Sequence, residues 1–235
     1  MGGGVTAVVA FHETGFDVAM ADELVFYTHP MSRGRVARWM MEEIGQPYRT
    51  EVIDFGPMMK SAAYLEVNPM GKVPALRQGK TIVTETAAIC AYLADAFPDA
   101  GLAPPPTSAD RGAYFRWLFF AAGPIEAVAT NKAMGFVLPA ERAGMAGYGS
   151  LELVIGTLKS AVAGRRYIVG ERFTAADVYL AAEMDWMMQF GIFPKEPEFL
   201  DYVKPLQARP AAIRAREIDD ALLAAHPHPF AQAAK

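Results

Sequence analysis

The apolar and polar positions along the chain divide it into a first half of strands and helices and a second half of helices. The apolar run Leu24–Tyr27 predicts a buried strand. A helical period over 33–44, with Val36, Trp39, Met40 and Ile44 on one face and Gly45 as its end, predicts the first helix. A second strand over 48–53 and a short helix over 61–67 follow.

A hairpin and another helix complete this first half. Val73–Arg77 and Lys80–Val83 are predicted strands, and Gln78-Gly79 between them is a turn signal. The next helix is predicted over 86–97. The order βαβα–ββα is that of a thioredoxin-like domain.

Beyond a proline-rich stretch at 104–106, the strand signals largely vanish. Thr174 and Asp177 have the spacing of a capping box, which predicts the start of a helix there. The other predicted helices cover 110–134, with a kink at Gly123-Pro124, then 147–163, and the residues after Pro210. The second half is therefore expected to be all-helical.

These patterns predict two domains. We assign 1–22 to a disordered extension, 23–98 to the thioredoxin-like domain and 99–109 to a linker. The helical domain is expected over 110–225, and 226–235 is a tail.

Composition excludes some classes of function. The 235 residues carry 22 Lys and Arg against 26 Asp and Glu, a net charge of −4, which argues against nucleic acid or an acidic membrane as the partner. One cysteine allows no internal disulfide, and no apolar run reaches the length of a membrane span. The four histidines show no metal-ligand spacing, so no metal is expected.

The hairpin and the helix after it place two kinds of binding group together. Pro74 lacks a backbone donor and belongs at a strand start or an edge, which leaves the backbone of Val73 free for an extended partner. The next helix, with Thr84 or Thr86 as its N-cap, offers N–H groups suited to a carboxylate. A short peptide bearing a carboxylate satisfies both.

The residues NPMGKVPAL at 68–76, followed by TETAAICAYL at 84–93, resemble the glutathione-binding half of the cytosolic glutathione S-transferase family. Thr86 stands where serine is usual. The resemblance covers about 24–223 and implies a thioredoxin-like domain followed by a helical-bundle domain. It further implies a cytoplasmic homodimer that transfers glutathione to alkyl or aryl groups of a small, largely apolar electrophile.

Such an enzyme must stabilise a thiolate, and the loop after the first strand supplies the candidates. The segment His29-Pro30-Met31-Ser32 resembles the loop of serine-type, theta/phi-like bacterial members, which implies Ser32 as the catalytic residue. Capping of the helix is the competing role for Ser32. The following Arg33-Gly34-Arg35 resembles tyrosine-type members instead, which leaves His29 and Tyr27 as alternatives.

The resemblance implies that Glu85 holds the ammonium of the γ-glutamyl unit and that Thr86 holds its carboxylate. Val73 is expected to pair with the cysteinyl backbone. Lys72 is a candidate for the glycyl carboxylate, and Lys60 a weaker one.

Two other functions stay open on the same fold. One is a non-catalytic protein that binds glutathione or another ligand, or that regulates a partner, because a fold does not fix a function. The other is a glutathione-dependent isomerase, dehalogenase or disulfide reductase. Cys90, amid apolar neighbours in a predicted helix, is expected to be a small buried residue without redox chemistry.

Overall fold

A computed structural model provides the structure of this protein and describes residues 23–225. The predicted extension at 1–22 and the predicted tail at 226–235 lie outside the described residues. Within the described range, no helix is both long and apolar enough to cross a membrane.

Four strands form one mixed sheet in the first half of the chain. They are β1 (Leu24–Thr28), β2 (Tyr48–Val52), β3 (Ala75–Gln78) and β4 (Thr81–Thr84), in the spatial order β2-β1-β3-β4. Strand β1 runs parallel to β2 and antiparallel to β3, and β3 runs antiparallel to β4. The predicted order of strands and helices is confirmed.

Three helices cover the two faces of this sheet: α1 (Gly34–Ile44), α2 (Ala62–Leu65) and α3 (Thr86–Ala96). Because side chains of a strand alternate between faces, Phe26 joins the core with α1 and α3, whereas Val25 and Tyr27 join the smaller cluster that contains Tyr64 of α2. The expectation that Thr84 or Thr86 caps α3 is wrong. Glu85 occupies the N-cap position, and its side chain makes no capping hydrogen bond.

The second half contains helices alone. They are α4 (Asp110–Phe120), α5 (Glu126–Ala133), α6 (Leu151–Val162), α7 (Ala175–Gln189), α8 (Pro197–Gln207) and α9 (Pro210–Ala225). The predicted kink at Gly123-Pro124 appears as a π-helical segment, Ala121–Ile125, that joins α4 to α5. Because Pro124 removes one backbone donor, the regular helical ladder is interrupted there.

The Thr174–Asp177 capping box is confirmed at the start of α7. Helix α6 begins later than predicted, because the Ser150 hydroxyl accepts a hydrogen bond from the Leu153 N–H and caps the helix there. Helix α8 was not predicted.

The two halves share one core, since α1 packs against α7 and α9, and α3 packs against α7. At the contact between α1 and α9, Arg38 Nε donates to Asp219 Oδ1 at 2.7 Å, with both side chains buried. Arg209 of the segment before α9 makes two hydrogen bonds to the Glu43 carboxylate. These ion pairs hold the helical half against the α1 side of the sheet.

Candidate functional site

A cavity of about 460 Å³ lies between the first half of the chain and the helical bundle. The β1–α1 loop, the segment before β3, the start of α3 and the inner faces of α5 and α7 surround it. All five site residues predicted from the sequence line this one cavity, namely Ser32, Lys72, Val73, Glu85 and Thr86.

The segment before β3 presents backbone groups to the cavity. Strand β3 begins at Ala75, so Val73 lies outside its ladder, and the Val73–Pro74 peptide bond is cis. The carbonyl oxygen of Lys72 accepts hydrogen bonds from Tyr64 Oη at 2.6 Å and Asn68 Nδ2 at 2.8 Å. Strand β3 is an inner strand, so the free backbone of Val73 results from its position before the strand start.

Glu85 has the least ordinary backbone at the site. Its φ of 66° and ψ of 122° make it the sole non-glycine residue with positive φ among residues 23–225. Such conformations cost on the order of 1–3 kcal/mol and persist where the surroundings enforce them, commonly at ligand sites. The Glu85 side chain is exposed at the start of α3, beside the buried Thr86.

The start of α3 therefore has two complementary groups. The Glu85 carboxylate suits an ammonium, while the Thr86 hydroxyl and the free N–H groups of the first helical turn suit a carboxylate. Together they match the two charges of an amino-acid end group.

Ser32 lines the cavity with a hydroxyl that already has two partners. Its Oγ donates to the carbonyl oxygen of His29 at 2.7 Å and accepts from the N–H of Gly34 at 3.0 Å. The second bond satisfies the N–H of the first residue of α1, but Arg33 occupies the N-cap position and α1 has no side-chain capping hydrogen bond, so the competing capping role of Ser32 is not confirmed. To donate toward the cavity, the hydroxyl must turn its proton away from His29.

The alternatives His29 and Tyr27 do not line the cavity. The His29 ring is buried, its Nδ1 accepts from the Met31 N–H at 3.1 Å, and its Nε2 lies 3.9 Å from Asp54. Tyr27 belongs to the smaller core cluster, on the face of the sheet that α2 covers. The centres of the Tyr27 and Tyr64 rings are 5.9 Å apart there. Of the three candidates, Ser32 alone reaches the cavity.

Two cations line the cavity among the described residues, Arg33 and Lys72. The weaker candidate, Lys60, donates from Nζ to the carbonyl oxygens of Met70 and Gly71 and is not part of the lining. Its ammonium therefore holds the loop before Lys72 in place.

Sequence reasoning missed the contribution of α5 and α7. Arg33 forms ion pairs with Glu126 of α5 and with Glu183 of α7, and its guanidinium lies 5.2 Å from the centre of the Trp186 ring. One signal in the sequence could have indicated this contact. Glu183 is a single glutamate within the apolar segment Leu180–Met184, where an unpaired charge is costly, so it predicts a cationic partner.

Two further cavities adjoin the first. One, of about 390 Å³, shares Met31, Ser32 and Arg33 with it and extends between α1, α7 and α9. The other, of about 490 Å³, shares Arg33 and Trp186 with it and extends along α5 and the end of α7. The first of these cavities lies against α9 and the second against α5.

Burial raises the pKa of the Cys90 thiol to about 12. This thiol stays protonated at neutral pH, as expected for a small core residue. Within residues 23–225, no group of three or more His, Cys, Asp or Glu side chains forms a potential metal site.

Comparison with known proteins gives matches in both halves. The family "Glutathione S-transferase, N-terminal domain" matches residues 31–96, and "Glutathione S-transferase, C-terminal domain" matches residues 144–210. The glutathione S-transferase GstA of Escherichia coli O157:H7 is 32% identical over 173 residues, which cover 68% of this chain and 77% of that protein.

Solved structures match over most of the chain. A glutathione transferase from Methylococcus capsulatus has a TM-score of 0.70 and 28% identity, covering 84% of this chain and 99% of its own. The glutathione transferase URE2P6 of Phanerochaete chrysosporium, in complex with oxidised glutathione, has a TM-score of 0.71 and 25% identity, covering 86% and 98%. The predicted fold, a thioredoxin-like domain followed by a helical domain, is confirmed.

Proposed function

The chain belongs to the glutathione S-transferase family, and from that premise we propose that it binds glutathione in the cavity of about 460 Å³ and transfers the tripeptide to a small electrophile. The observation that carries this proposal is the convergence of the Val73 backbone, the Glu85 carboxylate and the start of α3 on one cavity. A tripeptide with a γ-glutamyl end offers a matching group to each.

The proposed pose follows from the chemistry of these groups. Glu85 pairs with the α-ammonium of the γ-glutamyl unit, and Thr86 with its carboxylate. The backbone of Val73 pairs with the cysteinyl unit, and Lys72 attracts the glycyl carboxylate. In this pose the sulfur faces the β1–α1 loop, where Ser32 lines both the glutathione cavity and an adjoining one.

The proposed reaction begins with loss of the thiol proton to solvent, because the thiolate is the nucleophile. In the serine-type mechanism proposed here, the Ser32 hydroxyl turns from the His29 carbonyl and donates a hydrogen bond to the thiolate. The sulfur then forms a bond to an electrophilic carbon, and the leaving group departs with its electron pair.

The adjoining cavities supply the proposed place for the electrophile. The cavity along α5 is lined mainly by apolar side chains. The cavity between α1, α7 and α9 is lined by the rings of Trp39, Trp186 and Phe190 together with charged and polar side chains of these helices. Aromatic and aliphatic walls suit an apolar or aryl co-substrate.

A homodimer and a cytoplasmic location stay predictions. Exposed apolar side chains along α4 and after α5, namely Phe119, Met134 and Phe136, support a protein interface there. Light scattering after size-exclusion chromatography tests the dimer, and cell fractionation tests the location.

Calorimetric titration with glutathione tests the binding step. We expect the Glu85→Gln variant to bind glutathione about tenfold or more weakly, as for loss of one charge-assisted hydrogen bond. Glu66→Gln, an exposed glutamate that does not line the cavity, is the matched control. Absence of glutathione binding to the unchanged protein would overturn the proposal.

A turnover assay separates the enzyme from the carrier that the same fold permits. We expect a chlorodinitrobenzene to be conjugated by the protein with glutathione. Binding without turnover of any tested aryl or alkyl electrophile would favour the carrier.

A further inference from the structure

Glu183 is a buried carboxylate whose local partners are incomplete. Its side chain is 1% exposed in the apolar stretch of α7, and neither of its oxygens has a hydrogen-bond partner among residues 23–225. It forms an ion pair with Arg33, whose Nε lies 3.4 Å from Glu183 Oε1. Burial of a charge is costly even beside a partner. The burial of the Glu183 carboxylate next to Arg33 therefore calls for a role other than packing.

A second carboxylate binds the same arginine. Glu126 of α5 forms an ion pair with Arg33 Nη2, and Thr130 donates to Glu126 Oε1 at 3.2 Å. The guanidinium is also held over the Trp186 ring. Arg33 is thus fixed from α5 and from α7, although it belongs to the loop before α1.

This fixed position is at the junction of the three cavities. Arg33 and Trp186 line the glutathione cavity and both cavities that adjoin it. Lys72, the other cation in the described lining, belongs to the segment before β3. A sulfur that must reach an electrophile in an adjoining cavity passes the same junction, so Arg33 is the cation positioned to face it.

We propose that Arg33 supplies the positive charge that stabilises the glutathione thiolate, and that Glu183 and Glu126 are positioning residues that hold its guanidinium at the cavity junction. This inference rests on the proposed function. It adds a second source of stabilisation beside Ser32, whose hydroxyl donates to the His29 carbonyl. A positive charge within about 4–6 Å lowers the pKa of an acidic group by about 1–3.

The two carboxylates also limit the effect of Arg33. With both ionised, the cluster has a net charge of −1, which opposes a thiolate. Burial is the main cause that raises the pKa of Glu183 to about 7; the charge of Arg33 lowers it and the charge of Glu126 raises it further. A proton on Glu183 brings the cluster to neutrality, so Glu183 opposes the thiolate less at lower pH.

Few charged groups among the described residues act on the pKa of Glu183. Arg33 and Glu126 act on it directly, and Tyr179, one turn earlier on α7, has its pKa raised by burial and by Glu183. Cys90 of α3 stays a neutral thiol, and burial likewise raises the pKa of Tyr114 of α4. From α8, Tyr202 donates to Asp177.

The test is the pKa of the thiol of bound glutathione, followed by the ultraviolet absorbance of the thiolate across a pH series. We expect Arg33→Met to raise this pKa by about one. We expect Glu183→Gln to lower it by about one half, which increases kcat/KM about threefold below the thiol pKa. Damage to the fold alone would lower activity in both variants.

Arg116→Met is the matched control for Arg33. Its guanidinium lies 4.5 Å from the centre of the Trp117 ring, and it does not line the glutathione cavity. Arg33→Lys keeps the charge and is expected to recover most of the pKa shift. Circular dichroism and calorimetric titration with glutathione confirm that each variant is folded and binds.

The outcomes are distinct. Opposite shifts for Arg33→Met and Glu183→Gln, with no shift for the control, support the inference. A thiol pKa unchanged in folded, glutathione-binding Arg33→Met overturns the role of Arg33. An unchanged pKa in Glu183→Gln overturns the role of Glu183, whereas a raised pKa keeps its hold on Arg33 and overturns its opposition to the thiolate. Only failure of the unchanged protein to bind glutathione overturns the proposed function itself.

Discussion

The Ser32 hydroxyl donates a 2.7 Å hydrogen bond to the carbonyl oxygen of His29, three residues earlier in the β1–α1 loop. The same oxygen accepts from the N–H of Gly34, so Ser32 organises the start of α1. Gly34 has no side chain because a Cβ there would lie 1.9 Å from Thr28 Oγ1. The absence of a side chain at Gly34 therefore allows the start of α1 to pack closely on Thr28.

The double role of Ser32 makes its substitution informative. We expect Ser32→Ala to raise the thiol pKa of bound glutathione by about one, because a hydrogen bond to the anion is lost, and to reduce kcat/KM about tenfold or more at neutral pH. We expect the free energy of unfolding to fall by about 1 kcal/mol, as for loss of one side-chain hydrogen bond to the backbone. Steady-state kinetics and urea unfolding measure the two effects.

Ser108 provides the control for this variant. Its Oγ accepts from the N–H of Asp110 at 3.2 Å, so it stands two residues before α4 as Ser32 stands before Gly34. Ser108→Ala is expected to cost similar stability and to leave the thiol pKa unchanged. Equal kinetic effects in the two variants would remove Ser32 from the reaction.

The strained backbone of Glu85 predicts a conflict between stability and binding. Glycine adopts positive φ without steric cost, so we expect Glu85→Gly to raise the free energy of unfolding by about 0.5–1 kcal/mol. The same change removes the proposed partner of the glutathione ammonium and is expected to weaken binding about tenfold. Thermal unfolding and calorimetric titration give both values for one variant.

Glu66→Gly is the matched control, because Glu66 has an ordinary φ of −67° at the end of α2. There the change to glycine is expected to lower stability by about 0.5–1 kcal/mol. A loss of stability in Glu85→Gly as large as in Glu66→Gly would show that the Glu85 backbone carries no strain.

The part of the fold that sequence predicted depends on local signals. The apolar run of β1, the Gly45 end of α1 and the capping box of Thr174 and Asp177 each involve residues close in the chain, and all three are present. The missed helix α8 shows the limit of such signals. Pro197 is in its first turn and Pro205 near its end, so prolines that indicate breaks in a sequence are accommodated within the helix.

The candidate site likewise contains residues that local sequence signals predicted and residues that they did not. Val73, Glu85 and Thr86 were found because one hairpin and the next helix place them together. The cluster of Arg33, Glu126 and Glu183 was not found, because its members are about 60 to 150 residues apart and meet only when α5 and α7 pack beside the β1–α1 loop. The local pattern of apolar and polar residues does not predict contacts between residues so far apart in the chain.

The ion pair between Arg38 and Asp219 is expected to dominate the stability of the contact between α1 and α9. Both side chains are 1% exposed, and Arg38 also donates to Tyr48 and Thr50. Asp219→Ala leaves the Arg38 charge buried without its partner, so we expect a loss of about 3–5 kcal/mol in the free energy of unfolding. Urea unfolding followed by circular dichroism measures it.

The neighbouring pair of Arg35 and Asp220 is the control. Its N–O distance is 2.8 Å, but the Asp220 side chain is 63% exposed. Because solvent screens an exposed pair, Asp220→Ala is expected to cost no more than about 1 kcal/mol. Similar losses at the two positions would contradict the importance of burial at Asp219.

Glu183 gives the protein a specific dependence of stability on pH. Its pKa is raised from 4.5 to about 7 in the folded protein, mainly by burial, so the folded chain holds this proton more tightly than the unfolded chain does. The resulting stability is fully present below pH 4.5 and is lost as the pH rises through about 7. The Glu183→Gln variant has no such proton to lose.

As the pH rises, the unchanged protein is therefore expected to lose stability that the Glu183→Gln variant does not lose. The free energy of unfolding of the variant minus that of the unchanged protein is expected to increase by up to roughly 3 kcal/mol. Urea unfolding at a series of pH values measures the difference. Glu152→Gln provides a contrast of opposite sign, because hydrogen bonds from its own backbone and from Ser150 lower the pKa of the exposed Glu152 in the folded protein. If the stability curves of Glu183→Gln and the unchanged protein ran parallel from pH 4.5 to 7, the Glu183 carboxylate would titrate as it does in the unfolded chain, and burial would have no effect on it.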